Sequence, residues 1–261
     1  MTADLLPRLE AIPVARPVMT QFWADVTFLH WRYDPGVVQS LLPPGVEVDT
    51  LDGSAWVGLV PFRMERLGFG AMRPVPRLGT FPEVNVRTYV RAGAHRGVWF
   101  FSLDIDLLLP MLVARGWYRL PYCVGDVHHE RTGDRITTLV RRRLPRASVT
   151  ATTELEVVVG SATASGPLVE FLTSRWGLVT SGPRGRLRWA AVDHPPWPLL
   201  RARVEHVADS LVVAAGLPAP EGPPHAVYSR GVPVRVGRPR RIAHHPGEES
   251  GDVRPGRSAD R

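Results

Sequence analysis

Short runs of alternating apolar and polar residues, each ended by a turn signal, fill most of the sequence. Such alternation is typical of half-buried β-strands. Glycine (24 residues) and proline (26 residues) are abundant, which argues against long helices. The predicted strands cover 22–33, 46–50, 54–65, 83–92, 97–105, 121–131, 134–143, 147–159, 186–193, 197–207 and 226–236.

Helix signals are fewer and the helices they predict are short. Asp34 and Pro35 are a good N-cap and first residue for a helix ending near Leu42. Other helices are predicted at 107–117, 167–175 and 208–215. The pattern therefore indicates a β-rich α+β fold with a few short flanking helices around a barrel-like sheet.

The chain divides into one folded region and two polar ends. With 261 residues and 44% apolar composition it can bury a sizeable core. We predict an N-terminal arm at 1–17, a single β-barrel-like domain at 18–237 and a disordered tail, rich in Arg, Gly and Pro, at 238–261. The sequence shows no secretory signal and no apolar stretch of about 20 residues, so we expect a cytoplasmic protein without a membrane segment.

The composition excludes several kinds of chemistry. All 32 basic residues are arginine, and without lysine there is no side-chain amine for a Schiff base. A single cysteine, Cys123, excludes an intramolecular disulfide and a cysteine-clustered zinc site.

His128 and His129 point to opposite faces of a strand, so we expect no metal. Phosphate-binding and dinucleotide-binding glycine motifs are missing, so we expect no cofactor. Arginines and aromatic residues do not interleave, so we expect no nucleic-acid partner.

The segment 81–90 carries the strongest candidate site. As a strand it presents Glu83, Asn85, Arg87 and Tyr89 on one face and an apolar row of valines on the other. This row is either the solvated face of an antiparallel strand or one wall of an enclosed polar pocket.

The neighbouring strands favour the pocket. In 97–105, Ser102 and Asp104 alternate with a fully apolar face, and a hairpin at 93–97 would set them beside the first row. An Arg87–Asp104 or Arg87–Glu83 pair could then lie inside a cavity. His30, in the first strand, is a further candidate contact for a ligand, although buried histidines more often serve packing.

Several longer motifs resemble a known family. They are F-L-H-W at 28–31, D-G-S-A-W-V-G-L-V-P-F at 52–62, F-P-E-V-N-V-R-T-Y-V at 81–90, G-V-W-F-F-S-L-D at 97–104 and A-R-G-W-Y-R-L-P-Y at 114–122. Over about 18–237 the chain resembles the YqjF-like family of unknown function, which is similar to the acetoacetate decarboxylase superfamily. The resemblance implies a closed or partly closed antiparallel β-barrel around a central cavity.

The same resemblance implies a changed mechanism. The decarboxylases carry a G-R-E-x-W-G-Y-P-K segment whose lysine forms the Schiff base. In the parallel segment here, Arg115 and Pro121 match and Tyr122 stands in the place of the lysine, and the resemblance implies that Glu83 corresponds to a decarboxylase glutamate. Because tyrosine forms no imine with a ketone, decarboxylation by the family's route is not expected.

These residues suit two kinds of function. Arg87 can hold a carboxylate through paired hydrogen bonds. A desolvated Glu83 can act as an acid or base, and Tyr122 can donate to a carbonyl or enolate oxygen, with Asn85 and Ser102 orienting the ligand. The set fits a lyase or isomerase acting on a small organic anion, or a non-catalytic ligand-binding barrel. A third interpretation is purely structural, with polar rows that tie strands together. Related barrels assemble, so a homo-oligomer is expected only by analogy.

Overall fold

The computed structural model describes residues 13–70, 79–106, 120–145 and 151–242. Within these ranges the strands are β1 (Met19–Tyr33), β2 (Glu47–Val48), β3 (Ala55–Phe69), β4 (Phe81–Ala92), β5 (His95–Ile105), β6 (Tyr122–Thr132), β7 (Arg135–Leu144), β8 (Thr152–Thr163), β9 (Gly177–Ser181), β10 (Leu187–Asp193), β11 (Leu199–Asp209), β12 (His225–Val236) and β13 (Arg240–Arg241). The α-helices are α1 (Pro35–Gln39), α2 (Pro167–Thr173) and α3 (Leu211–Ala214), with a 3-10 helix at Pro183–Gly185.

Nine of the strands close into a barrel. Their order is β5-β6-β7-β8-β11-β12-β1-β3-β4, and β4 pairs with β5 to complete the ring. Neighbours in this ring are antiparallel except for β5 and β6, which are parallel. The β-rich, closed-barrel fold expected from the sequence is therefore confirmed.

Strands β9 and β10 make a second link across the same sheet. β9 pairs with β5, β10 pairs with β9, and β10 also pairs with the end of β12 through Val192 and Val236. This link forms a second ring that shares β12, β1, β3, β4 and β5 with the barrel. The shared strands consequently have enclosed space on both of their faces.

The alternation in β4 separates two interiors. Val84 and Val86 are fully buried in an apolar cluster with Leu59 of β3 and Leu155 of β8. Because successive side chains of a strand point to opposite faces, the polar residues between these valines face the other interior. The apolar side chains of β4 therefore pack in the barrel core. The polar side chains of β4 face the space inside the second ring.

The predicted helices agree with the structure where it can be compared. Asp34 caps α1, its Oδ1 accepting from the backbone N–H of Gly36 at 2.7 Å and of Val37 at 3.2 Å. Helices α2 and α3 fall inside the predicted ranges 167–175 and 208–215. The predicted helix at 107–117 lies outside the described residues.

The two predicted ends are described only in part. Residues 1–12 of the arm and 243–261 of the tail lie outside the described residues. At the tail's beginning, Arg240 and Arg241 pair with Trp189 and Arg188 of β10. Among the described residues, no helix combines the length and the apolar character needed to cross a membrane.

Candidate functional site

The polar row of β4 is buried. Glu83, Asn85 and Arg87 are 2%, 4% and 7% exposed, and Tyr89 is completely buried. A solvated strand face would leave these side chains in water, so that interpretation is wrong. Glu83, Asn85 and Arg87 line a cavity, and Tyr122, from the start of β6, lines the same cavity.

This cavity lies within the second ring. Its lining comes from β1, β3, β4, β5, β9, β10 and the ends of β6 and β12, from the end of α2 and the segment after it, and from the segment between β10 and β11. The space open to the centre of a water-sized sphere measures about 80 Å³. A single water molecule needs about 10–15 Å³ by this measure, so the cavity has room for a small organic molecule.

Arg87 is a buried cation whose contacts are all neutral. Its Nη2 lies 3.4 Å from both the Tyr89 hydroxyl and the Leu172 carbonyl oxygen, which are long hydrogen bonds. Its Nε has no hydrogen-bond partner, and Arg87 forms no ion pair with any residue in the described ranges. The guanidinium lies 5.4 Å from the ring centre of Phe28. A buried positive charge without a carboxylate is costly unless an anion joins it.

A second guanidinium, Arg175, lies on the same cavity. It follows α2 directly and is 5% exposed. Its Nη1 donates to Asp49 Oδ2 at 2.7 Å and its Nε donates to the Phe171 carbonyl oxygen, but its Nη2 has no hydrogen-bond partner among the residues that the structure describes. Sequence reasoning did not find Arg175, because its only signal, an arginine after a short helix, is typical of many surface residues.

Glu83 is neutral at pH 7. Burial raises its pKa to about 8, and the charge of Asp104 adds to the rise while a hydrogen bond from Asn85 acts against it. One oxygen, Oε2, has no hydrogen-bond partner in the described part of the chain. Burial, with the charge of Glu83, also raises the pKa of Tyr122 well above its ordinary value. The cavity therefore contains a protonated carboxyl and a protonated phenol.

His30 lies behind the cavity rather than on it. Its Nε2 and the Tyr89 hydroxyl are 2.6 Å apart, and that hydroxyl donates to the Leu172 carbonyl at 2.6 Å. Burial, followed by the charge of Arg87, lowers the pKa of His30 well below 6.5. A Cβ on Gly58 would approach His30 Nε2 to 2.6 Å, so the ring needs a glycine here. His30 was predicted to contact a ligand, but in the structure it contacts the Tyr89 hydroxyl instead.

Ser102 and Asp104 do not join the row. The pairing of β4 with β5 shifts by one residue between Val86 and Arg87, so Ser102 lies opposite Val86 and Asp104 opposite Val84. Both therefore face the barrel core, and neither lines the cavity. The expected Arg87–Asp104 pair is wrong: Asp104 instead binds Arg142 of β7, with Arg142 Nε at 2.7 Å and Nη2 at 2.8 Å.

The profile of the DUF2071 family, described as an uncharacterized conserved protein, matches residues 20–233. The chain belongs to the DUF2071 family. A DUF2071 relative, the uncharacterized protein YqjF of Bacillus subtilis (strain 168), is 32% identical over 230 residues, which cover 88% of this chain and 95% of that protein. The resemblance found in the sequence is confirmed.

Solved structures extend the likeness of this DUF2071 protein to the acetoacetate decarboxylase-like fold. Acetoacetate decarboxylase from Legionella pneumophila matches with a TM-score of 0.63 and 14% identity over 93% of this chain and 98% of that one. The enduracididine biosynthesis enzyme MppR in complex with pyruvate matches with a TM-score of 0.60 and 16% identity over 87% and 91%. At such identities the likeness establishes the fold alone.

The segment that carries the decarboxylase resemblance is described only at its end. Arg115 lies outside the described residues, whereas Pro121 and Tyr122 are described and Tyr122 lines the cavity. Tyr122, which the family resemblance aligns with the Schiff-base lysine, thus places a partly buried phenol on the same cavity as Glu83 in this DUF2071 chain.

Proposed function

We propose that this barrel binds a small organic carboxylate at Arg87 and moves a proton next to the ligand's carbonyl group, without a Schiff base. The observation that carries the proposal is Arg87, a buried guanidinium without a carboxylate partner among the described residues, on one cavity with the protonated Glu83. The reaction is of lyase or isomerase type.

The charges of the cavity favour one negative charge on the ligand. Arg175 is paired with Asp49, which also lies within 3.9 Å of two other arginines, and Glu83 is neutral at pH 7, so Arg87 contributes an unbalanced positive charge. A carboxylate at Arg87 would neutralise it and accept from the unpartnered Nε. The unpartnered Arg175 Nη2 offers a second donor on the same wall. Both features fit a monoanionic carboxylic acid.

Glu83 and Tyr122 supply the proton chemistry. In its ionised form, Glu83 can take a proton from the carbon next to a carbonyl group. The electron pair of that C–H bond then forms a C=C bond, and the π pair of the carbonyl group moves onto its oxygen to give an enolate. The Tyr122 hydroxyl is suited to donate to this oxygen. Return of the proton from Glu83 to carbon completes the exchange. Because the pKa of Glu83 is about 8, the base form increases up to mildly alkaline pH.

Two fold neighbours support a carbonyl acid as the ligand class. One is described as complexed with pyruvate, and another is an acetoacetate decarboxylase. This sequence contains no lysine, so a Schiff-base mechanism of the decarboxylase kind is not proposed. Enolisation, hydration, dehydration or an aldol-type step through Glu83 and Tyr122 needs no amine.

Replacement of Arg87 by methionine tests the binding step. We expect pyruvate, acetoacetate or phenylpyruvate to raise the melting temperature of the wild type, because a ligand of the folded state at 100 times its Kd adds about 2.7 kcal/mol to the free energy of unfolding. Arg87→Met is expected to fold and to lose this shift. Arg91→Met, on the exposed part of the same strand, is the control and keeps it. A shift that persists in Arg87→Met would contradict the proposal.

Replacement of Glu83 by glutamine tests the proton transfer. In deuterated water near pH 8 we expect protein-dependent exchange of the protons next to the carbonyl, measured by NMR, and a loss of about 10²–10⁴-fold in Glu83→Gln. Glu154→Gln, at an exposed position of β8, is expected to exchange at the wild-type rate. Binding that depends on Arg87 without any exchange would identify a non-catalytic ligand-binding barrel instead.

A further inference from the structure

The cavity has a second wall that the proposed function does not use. It is formed by four aromatic residues of its lining, here called the aromatic wall: Trp23, Phe28, Phe62 and Trp197. We infer that the carboxylate bound at Arg87 carries an aryl or similarly planar apolar group that packs against this wall. The inference rests on the proposed function, because it assumes an anion at Arg87.

The four rings form one continuous surface. Trp23 and Trp197 are stacked, with ring centres 6.0 Å apart and planes at 19°. Phe28 meets Trp197 edge-on at 5.1 Å, and Phe62 lies 5.6 Å from Trp23. Such contacts are typical of aromatic clusters, to which a further ring adds favourably. A planar apolar group therefore finds a surface of matching chemistry.

The polar atoms of the indole rings are already used by the protein. Trp23 Nε1 donates to Gln21 Oε1 at 2.6 Å, and Trp197 Nε1 donates to the Thr173 carbonyl oxygen at 3.1 Å. Beside them, His194 Nδ1 is hydrogen-bonded to the Pro195 carbonyl oxygen at 2.8 Å, and burial lowers the pKa of this ring. Hydrogen-bond donors thus do not select a polar ligand group at this wall, and its chemistry is apolar.

The aromatic wall begins beside Arg87. The Arg87 guanidinium lies 5.4 Å from the ring centre of Phe28, which in turn contacts Trp197. Glu83 lies four positions earlier in β4, and strand geometry separates the Cα atoms of Arg87 and Glu83 by about 13 Å, part of which their own side chains span. A ligand that engages both residues must fill the space between them. An aryl-substituted acid fills it better than a three-carbon acid.

Pyruvate and phenylpyruvate form the test pair, because they differ only by a phenyl group. Burial of a phenyl ring against aromatic side chains predicts that the wild type binds phenylpyruvate about 10- to 100-fold more tightly in isothermal titration calorimetry. This comparison requires no variant. Equal or weaker binding of phenylpyruvate would overturn the inference.

Variants of the aromatic wall test whether the preference for phenylpyruvate arises from these residues. Trp197→Leu is expected to weaken phenylpyruvate binding about tenfold and to change pyruvate binding less than twofold. Phe62→Leu serves as a second variant with the same expectation. Trp99→Leu, on β5 outside this cavity, is the control and should change neither affinity. An unchanged preference for phenylpyruvate in both wall variants would overturn the inference.

The outcomes separate this inference from the proposal on which it rests. If both anions bind with equal affinity and Arg87→Met abolishes both, the carboxylate site stands and the aryl preference is wrong. If neither anion nor acetoacetate binds the wild type, the proposed function itself fails, and the inference fails with it.

Discussion

Replacing Asp104 by asparagine is expected to lower the free energy of unfolding by about 3–5 kcal/mol. Asp104 is fully buried, and Arg142, whose side chain is 6% exposed, donates two hydrogen bonds to its carboxylate. Arg142 Nη2 also donates to Ser102 Oγ at 3.0 Å. Asparagine keeps the size of the side chain but removes its charge, so the guanidinium stays buried without a counter-ion. Urea denaturation followed by circular dichroism measures the loss.

A matched control lies nearby, on β6 and β7. Arg143 of β7 and Asp126 of β6 form an ion pair whose side chains are 66% and 56% exposed. Asp126→Asn is expected to cost no more than about 1 kcal/mol, because water screens an exposed pair. Similar losses in the two variants would contradict the view that Asp104 and Arg142 act as a buried pair.

Asp104 also shows where sequence reasoning stops. Alternation correctly predicted that Glu83, Asn85 and Arg87 share a face, because the two-residue period of a strand is local. It placed Asp104 beside them only by assuming an unbroken hairpin. The register shift opposite Arg87 turns Ser102 and Asp104 to the barrel core. A bulge of this kind depends on how the two strands pack against the rest of the fold. This packing cannot be predicted from the sequence of either strand alone.

The fold itself was largely predictable. Every predicted strand overlaps an observed one, because turn residues separate the alternating runs so regularly. β9 was missed because Gly177–Ser181 is only five residues long and carries no clear alternation. It nevertheless matters, since β9 and β10 close the second ring around the cavity.

The position of the second guanidinium, that of Arg175, could not be predicted from the sequence because it depends on a contact between distant parts of the chain. Arg175 reaches the cavity because α2 and β9 bring it to Asp49, a residue 126 positions earlier in the chain. Contacts at such separation depend on the tertiary structure. Tyr122 was predicted only through the family resemblance, which aligned it with the decarboxylase lysine.

The stability of the protein is expected to depend on pH through Glu83. An unfolded glutamate releases its proton near pH 4.5, whereas the folded protein holds it until about pH 8. Between these values the folded state binds one proton more, so its stability falls as pH rises, by about 1.4 kcal/mol per pH unit. Over the whole interval this amounts to about 5 kcal/mol. Above pH 8 both states are ionised, and the contribution of Glu83 no longer changes.

Glu83→Gln isolates this contribution, because glutamine matches the protonated side chain in shape and does not titrate. The difference in unfolding free energy, variant minus wild type, is expected to increase from pH 5 to about pH 8 and then to level off. Other titrating groups, including the buried His30 and His129, are common to both proteins and cancel in the difference. Glu154→Gln, whose side chain is exposed, is expected to give a flat difference over the same range.

A difference in unfolding free energy between Glu83→Gln and the wild type that does not change with pH would contradict both the raised pKa of Glu83 and the charge balance proposed for the cavity. It would mean that Glu83 is ionised in the folded protein at pH 7 and titrates like an exposed carboxyl. The cavity would then hold a negative charge of its own on the same strand as Arg87, and the guanidinium would no longer require an anionic ligand. A difference that increases up to pH 8 keeps Glu83 neutral, and the positive charge of Arg87 then remains available for a carboxylate.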